Sequence, residues 1–252
     1  MDEERVVPHQ TQVNDLLRQV GMEKARNILR ECLDHQLLEA VDLDLISRKV
    51  NVLIDFTEHD YYGTRDDPMI KGTIRGNETS KMRHYLGFSI LSRDLQLFAG
   101  LEHVARGQAK VPVILEFLEH LIDLGFELKF VMIDREFYQA KLLEEIKALK
   151  ADVLIPAKSY KKINRMIEEY LTGKGKRIRR YTIFSSPGGG NHHSQDMYVI
   201  MRARKGHSLL EVKRDFRKGK ITLNEAKKRI YTVMTTQRPR GQKSAWASRT
   251  SK

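Results

Sequence analysis

The sequence predicts an α/β fold in which three strands open a mixed sheet and helices then alternate with further strands. Two observations predict it. Short apolar runs rich in β-branched residues recur along the chain, and stripes of apolar residues at helical spacing separate the later runs. The 252 residues, of which 40% are hydrophobic, are enough for one large domain with an accessory segment.

The N-terminal part of the chain, residues 1–49, is predicted to be a helical segment. Apolar residues recur at near helical spacing on both sides of Gly21, which breaks the pattern. Two interpretations of this segment stay open. It is a small DNA-binding helical unit, or it is an arm that packs against the rest of the chain.

Three strands and a helix are predicted to follow. The strands cover 50–55, 84–92 and 95–104, and the first has the continuous apolar character of a fully buried strand. The helix covers 112–124, because its apolar residues form one helical stripe that ends before a glycine.

Strands and helices then alternate along the chain. The run LKFVMI is a buried strand that ends before Asp134, a helix is predicted over about 137–150, the run DVLIPAK is another strand, and 159–171 is again helical. The order strand, strand, strand, helix, strand, helix, strand, helix indicates a mixed sheet with covering helices.

The character of the chain changes at residue 173. Two basic segments, GKGKRIRRYTIF and DMYVIMRARK, are predicted strands around a glycine-rich loop, and two short helical segments follow. The second begins with a capping box formed by Thr222 and Glu225. We therefore divide the chain into a helical segment (1–49), an α/β core (50–172) and a basic region with an irregular C-terminus (173–252).

Charge is distributed unevenly between the two parts of the chain. From Lys158 to the end there are 25 Lys and Arg against 6 Asp and Glu, whereas residues 1–157 carry 20 against 27. A basic excess of this size favours binding to a polyanion such as DNA, since neutralised phosphates release counterions. A solvated basic surface that aids solubility is the alternative interpretation.

The sequence also indicates where the protein acts. It has no apolar stretch long enough for a membrane helix, and its first residues, MDEERVVPHQ, do not resemble a secretory signal. The single cysteine, Cys32, forms no internal disulfide and supplies no zinc-ligand set. We expect a cytoplasmic protein.

Two of the apolar runs end in an aspartate, Asp55 and Asp134. Ligands gather beyond the carboxyl ends of strands in an open sheet, so these side chains are expected to converge. A divalent cation between them, Mg²⁺ or Mn²⁺, would keep both ionised and align the oxygens of an in-line displacement at phosphorus. The alternative is a structural role, because Asp134 precedes a predicted helix and could cap it.

Four blocks of the chain stand out: LIDFTEHDYYG, RHYLGFSILS, VMIDREFYQAKLLEEI and VLIPAKSYKK. They resemble the corresponding blocks of the DDE transposases of bacterial and archaeal insertion sequences, and the resemblance covers about 50–235. Its most specific part is the block of Asp134, Arg135, Glu136 and Phe137. The chain is similar to the subgroup of this family with a β-rich insertion before the last catalytic element.

The resemblance implies a ribonuclease-H-like fold, with strands 1–3 antiparallel and a basic, β-containing insertion. It implies that Asp55 and Asp134 bind catalytic Mg²⁺, and that the protein cleaves DNA and transfers strands at element ends. Double-stranded DNA, as element ends and as target, is the implied partner, and the oligomeric state is open, with a homodimer among the options. A metal-dependent nuclease on the same core and a non-catalytic basic nucleic-acid-binding protein are the alternatives.

The third acid of the family is not found in the sequence. It is a glutamate on a helix after the insertion, within a tyrosine, arginine, glutamate, lysine signature, and no such signature precedes Lys252. The preferred interpretation is a fragment from a truncated, frameshifted or split gene. The alternative is that Glu168 or Glu169 is the third acid, as in related enzymes without the insertion. Adjacent glutamates before a C-cap are, however, also typical of a solvated helix face.

Other candidate residues are weaker. Glu58, His59 and Asp60 line the mouth of the site or belong to a polar turn. His192 and His193 lie in a glycine-rich loop without the ligand spacing of zinc or the pattern of a phosphate loop. The predicted contacts to the DNA backbone are basic side chains of the C-terminal half. They are Lys161, Lys162, Arg177, Arg179, Arg180, Arg202 and Arg204.

Overall fold

The computed structural model describes residues 20–62, 70–72, 81–92, 95–184 and 193–239. It contains one mixed sheet of nine described strands, with helices packed against it. This architecture confirms the predicted α/β, ribonuclease-H-like fold class.

The described elements are, in chain order, α1 (Met22–Asp42), β1 (Lys49–Asp60), β2 (Ile70–Gly72), β3 (Lys81–Leu91), β4 (Gln96–His103), α2 (Lys110–Asp123), β5 (Glu127–Ile133), a 3₁₀ helix (Arg135–Phe137), α3 (Ala140–Ala148), β6 (Asp152–Pro156), α4 (Lys161–Thr172), β7 (Ile178–Phe184), β8 (Ser194–Ala203), α5 (Leu209–Arg217), α6 (Leu223–Arg229) and β9 (Ile230–Thr235).

The sheet has the strand order β2-β3-β1-β5-β6-β9-β8-β7, and β4 also pairs with β3. The predicted first three strands, β1, β3 and β4, are antiparallel. Strands β1, β5 and β6 are parallel. Parallel neighbours need a crossover connection, and α3 provides it between β5 and β6. Strand β9 pairs with β6, so the sheet continues into the basic region without a break. The division of the chain at residue 173 stays a prediction.

Alternation along the strands gives the sheet a buried face and an open face. On β1, Val52 and Ile54 are almost completely buried, whereas Leu53 between them is only partly buried. Helix α2 covers the buried face of β3 and β4. The ring of Phe117 stacks on Phe88 at 3.8 Å between centroids. A Cβ at Gly100 would lie 2.3 Å from Phe117, so this close approach requires glycine.

Helices α1 to α4 pack on the buried face, α5 packs against α4 and β8, and α6 packs against α5 and β9. The open face carries apolar side chains that these helices leave uncovered. Phe98 is 45% exposed and Phe184 is 70% exposed. The prediction of a fully buried first strand is therefore wrong for the described part of the fold, since the apolar pattern does not reveal which face is covered.

The N-terminal helical pattern breaks at Gly21, as predicted. This glycine has a φ of 74°, in the left-handed region, immediately before α1. Glu102 of β4 is buried and accepts hydrogen bonds from Arg26 and, at 2.5 Å, from Arg30. Helix α1 is thus tied to β4 in the manner of a packing arm. The predicted helical residues before position 20 lie outside the described residues.

Two predicted elements have different limits in the structure. Strand β1 does not end at Asp55 but continues to Asp60, because β3 pairs with it as far as Met82. Glu58 and His59 therefore lie in a strand and not in a turn. The helix predicted from about 137 begins at Ala140, because the 3₁₀ helix precedes it and an extended residue separates the two.

None of the described helices combines the length and the apolar character that a bilayer-spanning helix needs.

Candidate active site

The two predicted aspartates lie at the same level of two neighbouring parallel strands, Asp55 within β1 and Asp134 directly after β5. Ile54 of β1 pairs with Ile133 of β5, and the next residue of each chain segment is Asp55 or Asp134. Neighbouring strands lie about 4.8 Å apart. Both aspartates line one open cavity of about 310 Å³. The structure therefore brings together the two side chains that the sequence singled out.

We call the cavity that Asp55 and Asp134 line the acid cavity. Apart from these two aspartates, its lining is apolar. Its other lining side chains come from β1, β5, β6 and β9 on the open face of the sheet. They include Leu53, Met132, Leu154, Pro156 and Val233. Carboxylates against an apolar wall attract a cation more strongly than the same groups in bulk water, because the local dielectric is lower.

Asp134 stands at the N-cap position of the 3₁₀ helix, but its side chain makes no capping hydrogen bond. The backbone N–H of Phe137 instead donates to the backbone carbonyl of Asp134 at 3.1 Å. The ring of Phe137 is 1% exposed and anchors this turn in the core. The capping interpretation thus does not account for the Asp134 carboxylate, which is left to face the cavity.

Asp55 is exposed on the open face of β1, and its Oδ1 accepts a hydrogen bond from the backbone N–H of Phe56 at 3.0 Å. Phe56 points to the opposite face, where Lys110 Nζ lies 3.2 Å from the centre of its ring. Lys110 also lies 3.3 Å from Glu136 Oε2. This lysine, which sequence reasoning missed, links the turn after β5 to the far side of β1.

The sequence matches the family model of the transposase DDE domain over residues 47–246. The chain belongs to the transposase DDE domain family.

Two solved structures of transposases are similar to this DDE domain. A cryo-EM structure of a piggyBac transposase synaptic complex with hairpin DNA is 14% identical, with a TM-score of 0.39, over 75% of this chain and 33% of that one. A crystal structure of the Mos1 strand transfer complex is 14% identical, with a TM-score of 0.25, over 62% of this chain and 52% of that one. The DDE domain chain thus spans about a third and about half of their lengths. No curated protein matches it.

A DDE domain implies a dependence on divalent metal ions in general. The residues of this domain fit such an ion, because carboxylate oxygens are the hard ligands that Mg²⁺ and Mn²⁺ prefer. Mg²⁺ is commonly held by one or two carboxylates together with water and substrate phosphates. Asp55 and Asp134 are the residues that would hold it. Within the described ranges there is no group of three or more His, Cys, Asp or Glu side chains that could hold a metal ion.

The alternative third acids, Glu168 and Glu169, do not line the acid cavity. Glu169 accepts hydrogen bonds from Arg179 of β7 and, at 2.9 Å, from Arg165 of its own helix. The hydrogen bond from Arg179, reinforced by the one from Arg165, holds the pKa of the Glu169 carboxyl below its usual range. Glu169 therefore ties α4 to β7, and Glu168 is exposed beside it.

The predicted DNA contacts are divided between the two faces of the sheet. Arg180 and Arg202 lie on the open face, which is also the face of Asp55. On the other face, Arg179 binds Glu169, and Lys162 lies 4.7 Å from the ring centre of Tyr181. The remaining three predicted contacts, Lys161, Arg177 and Arg204, are exposed.

A second cavity, of about 640 Å³, borders the acid cavity and shares Leu53 and Asp55 with it. Its lining includes Tyr85, Phe98 and Leu101 of β3 and β4. We call this second cavity the aromatic cavity, and sequence reasoning missed it. Its only signal is the alternation in HYLGFSILS, in which Leu, Phe and Ile are buried and Tyr, Gly and Ser take the other face.

Proposed function

We propose that this chain acts as a transposase that cleaves DNA and transfers strands at the ends of an insertion sequence, with Mg²⁺ or Mn²⁺ held by Asp55 and Asp134. The observation that carries the proposal is the meeting of these two aspartates in one cavity of a DDE domain. Water would attack a phosphodiester at the element end in line and displace the 3′-oxygen, which leaves as a 3′-hydroxyl. This 3′-hydroxyl would then attack a target phosphodiester in line, form the new P–O bond and displace the 3′-oxygen of the target strand.

The protein's own contribution to this reaction is positioning. A bound divalent ion supplies positive charge that stabilises the charge developing on the phosphoryl oxygens. Asp55 is held by the pairing of β1 with both of its neighbours, and Asp134 by the buried anchor of Phe137. Carboxylates fixed in this way need little rearrangement during the reaction, which favours catalysis.

The basic half of the chain supplies the interaction with DNA. Arg180 and Arg202 are exposed on the face that carries the acid cavity. Contacts from such side chains to phosphates would position the DNA without reading its sequence. We assign no third acid, and the cytoplasmic location and a homodimer stay predictions.

The test combines metal binding with DNA cleavage. We expect Mn²⁺ to raise the thermal midpoint of the wild-type protein, because the ion relieves the repulsion between two neighbouring carboxylates. Asp55→Asn and Asp134→Asn should each abolish this rise. With supercoiled plasmid and Mn²⁺, the wild type should nick the DNA and join a labelled oligonucleotide end to it, and neither variant should.

Asp123→Asn is the matched control, since Asp123 is an exposed carboxylate at the end of α2, outside the acid cavity. It should behave as the wild type does. Nicking without joining would favour the metal-dependent nuclease. DNA binding that persists without any effect of Mg²⁺ or Mn²⁺ on the midpoint or on the DNA would favour the non-catalytic binding protein.

A further inference from the structure

The aromatic cavity beside Asp55 is lined by groups that suit a flat, partly polar ring. Tyr85 and Phe98 provide aromatic surface, and Leu101 adds an apolar wall. Phe98 and Leu101 are 45% and 40% exposed, so a ligand could cover them. At one end of the cavity Gln96 Nε2 donates to Ser89 Oγ at 3.3 Å, which places an amide and a hydroxyl within reach of the edge of such a ring.

A glycine keeps the floor of this cavity open. Gly87 of β3 pairs directly with Asp55 of β1, so any side chain at Gly87 would stand beside the Asp55 carboxylate. Of the residues that the structure describes, only the Phe98 ring lies within 4 Å of a Cβ built there, at 3.9 Å. Glycine is therefore not required by crowding or by backbone strain at this position. Its effect is to leave room between Asp55 and Phe98.

The position of the cavity limits what could occupy it. It shares Asp55 with the acid cavity, so a phosphodiester held at Asp55 and Asp134 has a neighbouring nucleotide within reach of Tyr85 and Phe98. A base inside a duplex is stacked and cannot enter, whereas an unpaired base can. Every nucleobase has a face that stacks on an aromatic side chain and an edge that forms hydrogen bonds.

We propose that the aromatic cavity binds one unpaired nucleobase of the DNA strand whose phosphate lies at Asp55 and Asp134. The inference rests on the proposed function, because it requires DNA at the acid cavity. It adds a substrate preference: DNA that is unpaired next to the reacting phosphate binds more tightly than continuous duplex. Gly87 provides the space, Phe98 the stacking surface, and Ser89 with Gln96 the polar contacts.

The experiment uses the full chain and two DNA probes of the same sequence, each with 2-aminopurine at one position. In one probe this base is paired, and in the other a one-nucleotide gap in the complementary strand leaves it unpaired. We expect the wild type to bind the unpaired probe at least about fivefold more tightly, the lower end of the effect of stacking one base. Its 2-aminopurine emission should be quenched by stacking.

Two variants with opposite effects on the cavity keep the test independent of folding. Gly87→Val fills the cavity and Phe98→Ala removes its stacking surface. Both should lose the preference and the quenching while binding the paired probe as the wild type does. Phe184→Ala is the matched control, since Phe184 is an exposed phenylalanine on the open face at the far edge strand. It should retain both effects.

The outcomes separate this inference from the function on which it rests. If the wild type binds both probes equally and the emission does not change, the base-binding cavity is refuted and a role on DNA stands. A preference that survives in both cavity variants would also refute it, because the base would then lie elsewhere. If the wild type binds neither probe, both proposals fall.

Discussion

Carboxylates stand in two different surroundings in this protein. Among the described residues, the acid cavity that Asp55 and Asp134 share has no basic side chain in its lining, although Asp55 also lines the aromatic cavity with His59 and Arg83. Glu169, by contrast, is held between Arg165 and Arg179. A pair of carboxylates attracts a cation from solution, and a carboxylate with two guanidinium partners does not need one. The neighbours of a carboxylate therefore decide whether its charge is already neutralised within the fold or is left available to a cation.

The ion pairs of Glu169 predict a pH-dependent contribution to stability. Its folded pKa lies below the ordinary value of 4.5, so the carboxylate stabilises the fold above pH 4.5 and loses this effect as the pH falls through the folded pKa. Glu169→Gln should therefore have a lower thermal midpoint than the wild type at pH 7. The difference should shrink as the pH is lowered below 4.5.

Glu168→Gln provides the comparison, because Glu168 is the exposed neighbour on the same helix. Its thermal midpoint should follow that of the wild type throughout the titration. A constant difference between Glu169→Gln and the wild type at every pH would show that the amide disturbs packing and that the charge is not responsible.

At the level of elements, the helices of the basic region begin in different ways. Helix α6 starts with the predicted capping box. The hydroxyl of Thr222 accepts from the backbone N–H of Glu225 at 3.3 Å, and the Glu225 carboxylate accepts from the backbone N–H of Thr222 at 2.7 Å. Helix α5 also has a hydroxyl residue at its N-cap, Ser208, but that side chain forms no capping hydrogen bond.

This contrast gives a matched pair of substitutions. Thr222→Ala should lower the free energy of unfolding by about 1 kcal/mol, the usual effect of removing an N-cap hydroxyl. Ser208→Ala should change it by much less, because no capping hydrogen bond is lost. Urea denaturation followed by circular dichroism measures both. Equal losses in the two variants would mean that the capping box of α6 does not contribute.

At the level of the whole molecule, basic side chains of the C-terminal half and the acid cavity lie on the same open face of the sheet. The basic strands extend the sheet that carries Asp55 and Asp134, so positive charge and acid cavity share one continuous framework. The described helices leave one face of this sheet open, and Arg180 and Arg202 lie on it. A polyanion bound to this face would contact both the arginine side chains and the acid cavity.

The arrangement predicts a strong dependence of DNA binding on salt. The logarithm of the binding constant should fall linearly with the logarithm of the salt concentration, with a slope of about −0.9 for each phosphate contact. Arg180 also donates a hydrogen bond to Asp196, which a phosphate would have to replace or share. Replacing both Arg180 and Arg202 by alanine should make the slope less steep by at most about 2. Fluorescence anisotropy titrations at several salt concentrations measure it.

Lys129→Ala serves as the control for this experiment. Lys129 is an exposed lysine near the start of β5, at the opposite end of the strand from Asp134. Its removal lowers the net charge without removing a predicted contact, so the slope should stay unchanged. If the slope changes as much for this one residue as it does per residue in the double variant, the change follows from net charge and not from contacts on the open face.

Much of the fold follows from local patterns in the sequence. Periodicity located the strands and helices of the core, the glycine at position 21 marked the start of α1, and Thr222 with Glu225 marked the start of α6. These features depend on residues close together in the chain. The ends of strands that depend on pairing with a distant strand were missed. An example is the extension of β1 to Asp60, which results from its pairing with β3.

The sequence by itself determined that two apolar runs each end in an aspartate, because a run of apolar residues and its final acid are local facts. Only the tertiary structure decided what surrounds each carboxylate. In the folded chain, Glu169 accepts a hydrogen bond from Arg179, and Phe98 lines the same cavity as Asp55. The described helices leave one face of the sheet uncovered. Alternation shows that a strand has two faces, but which face is covered depends on how distant elements pack.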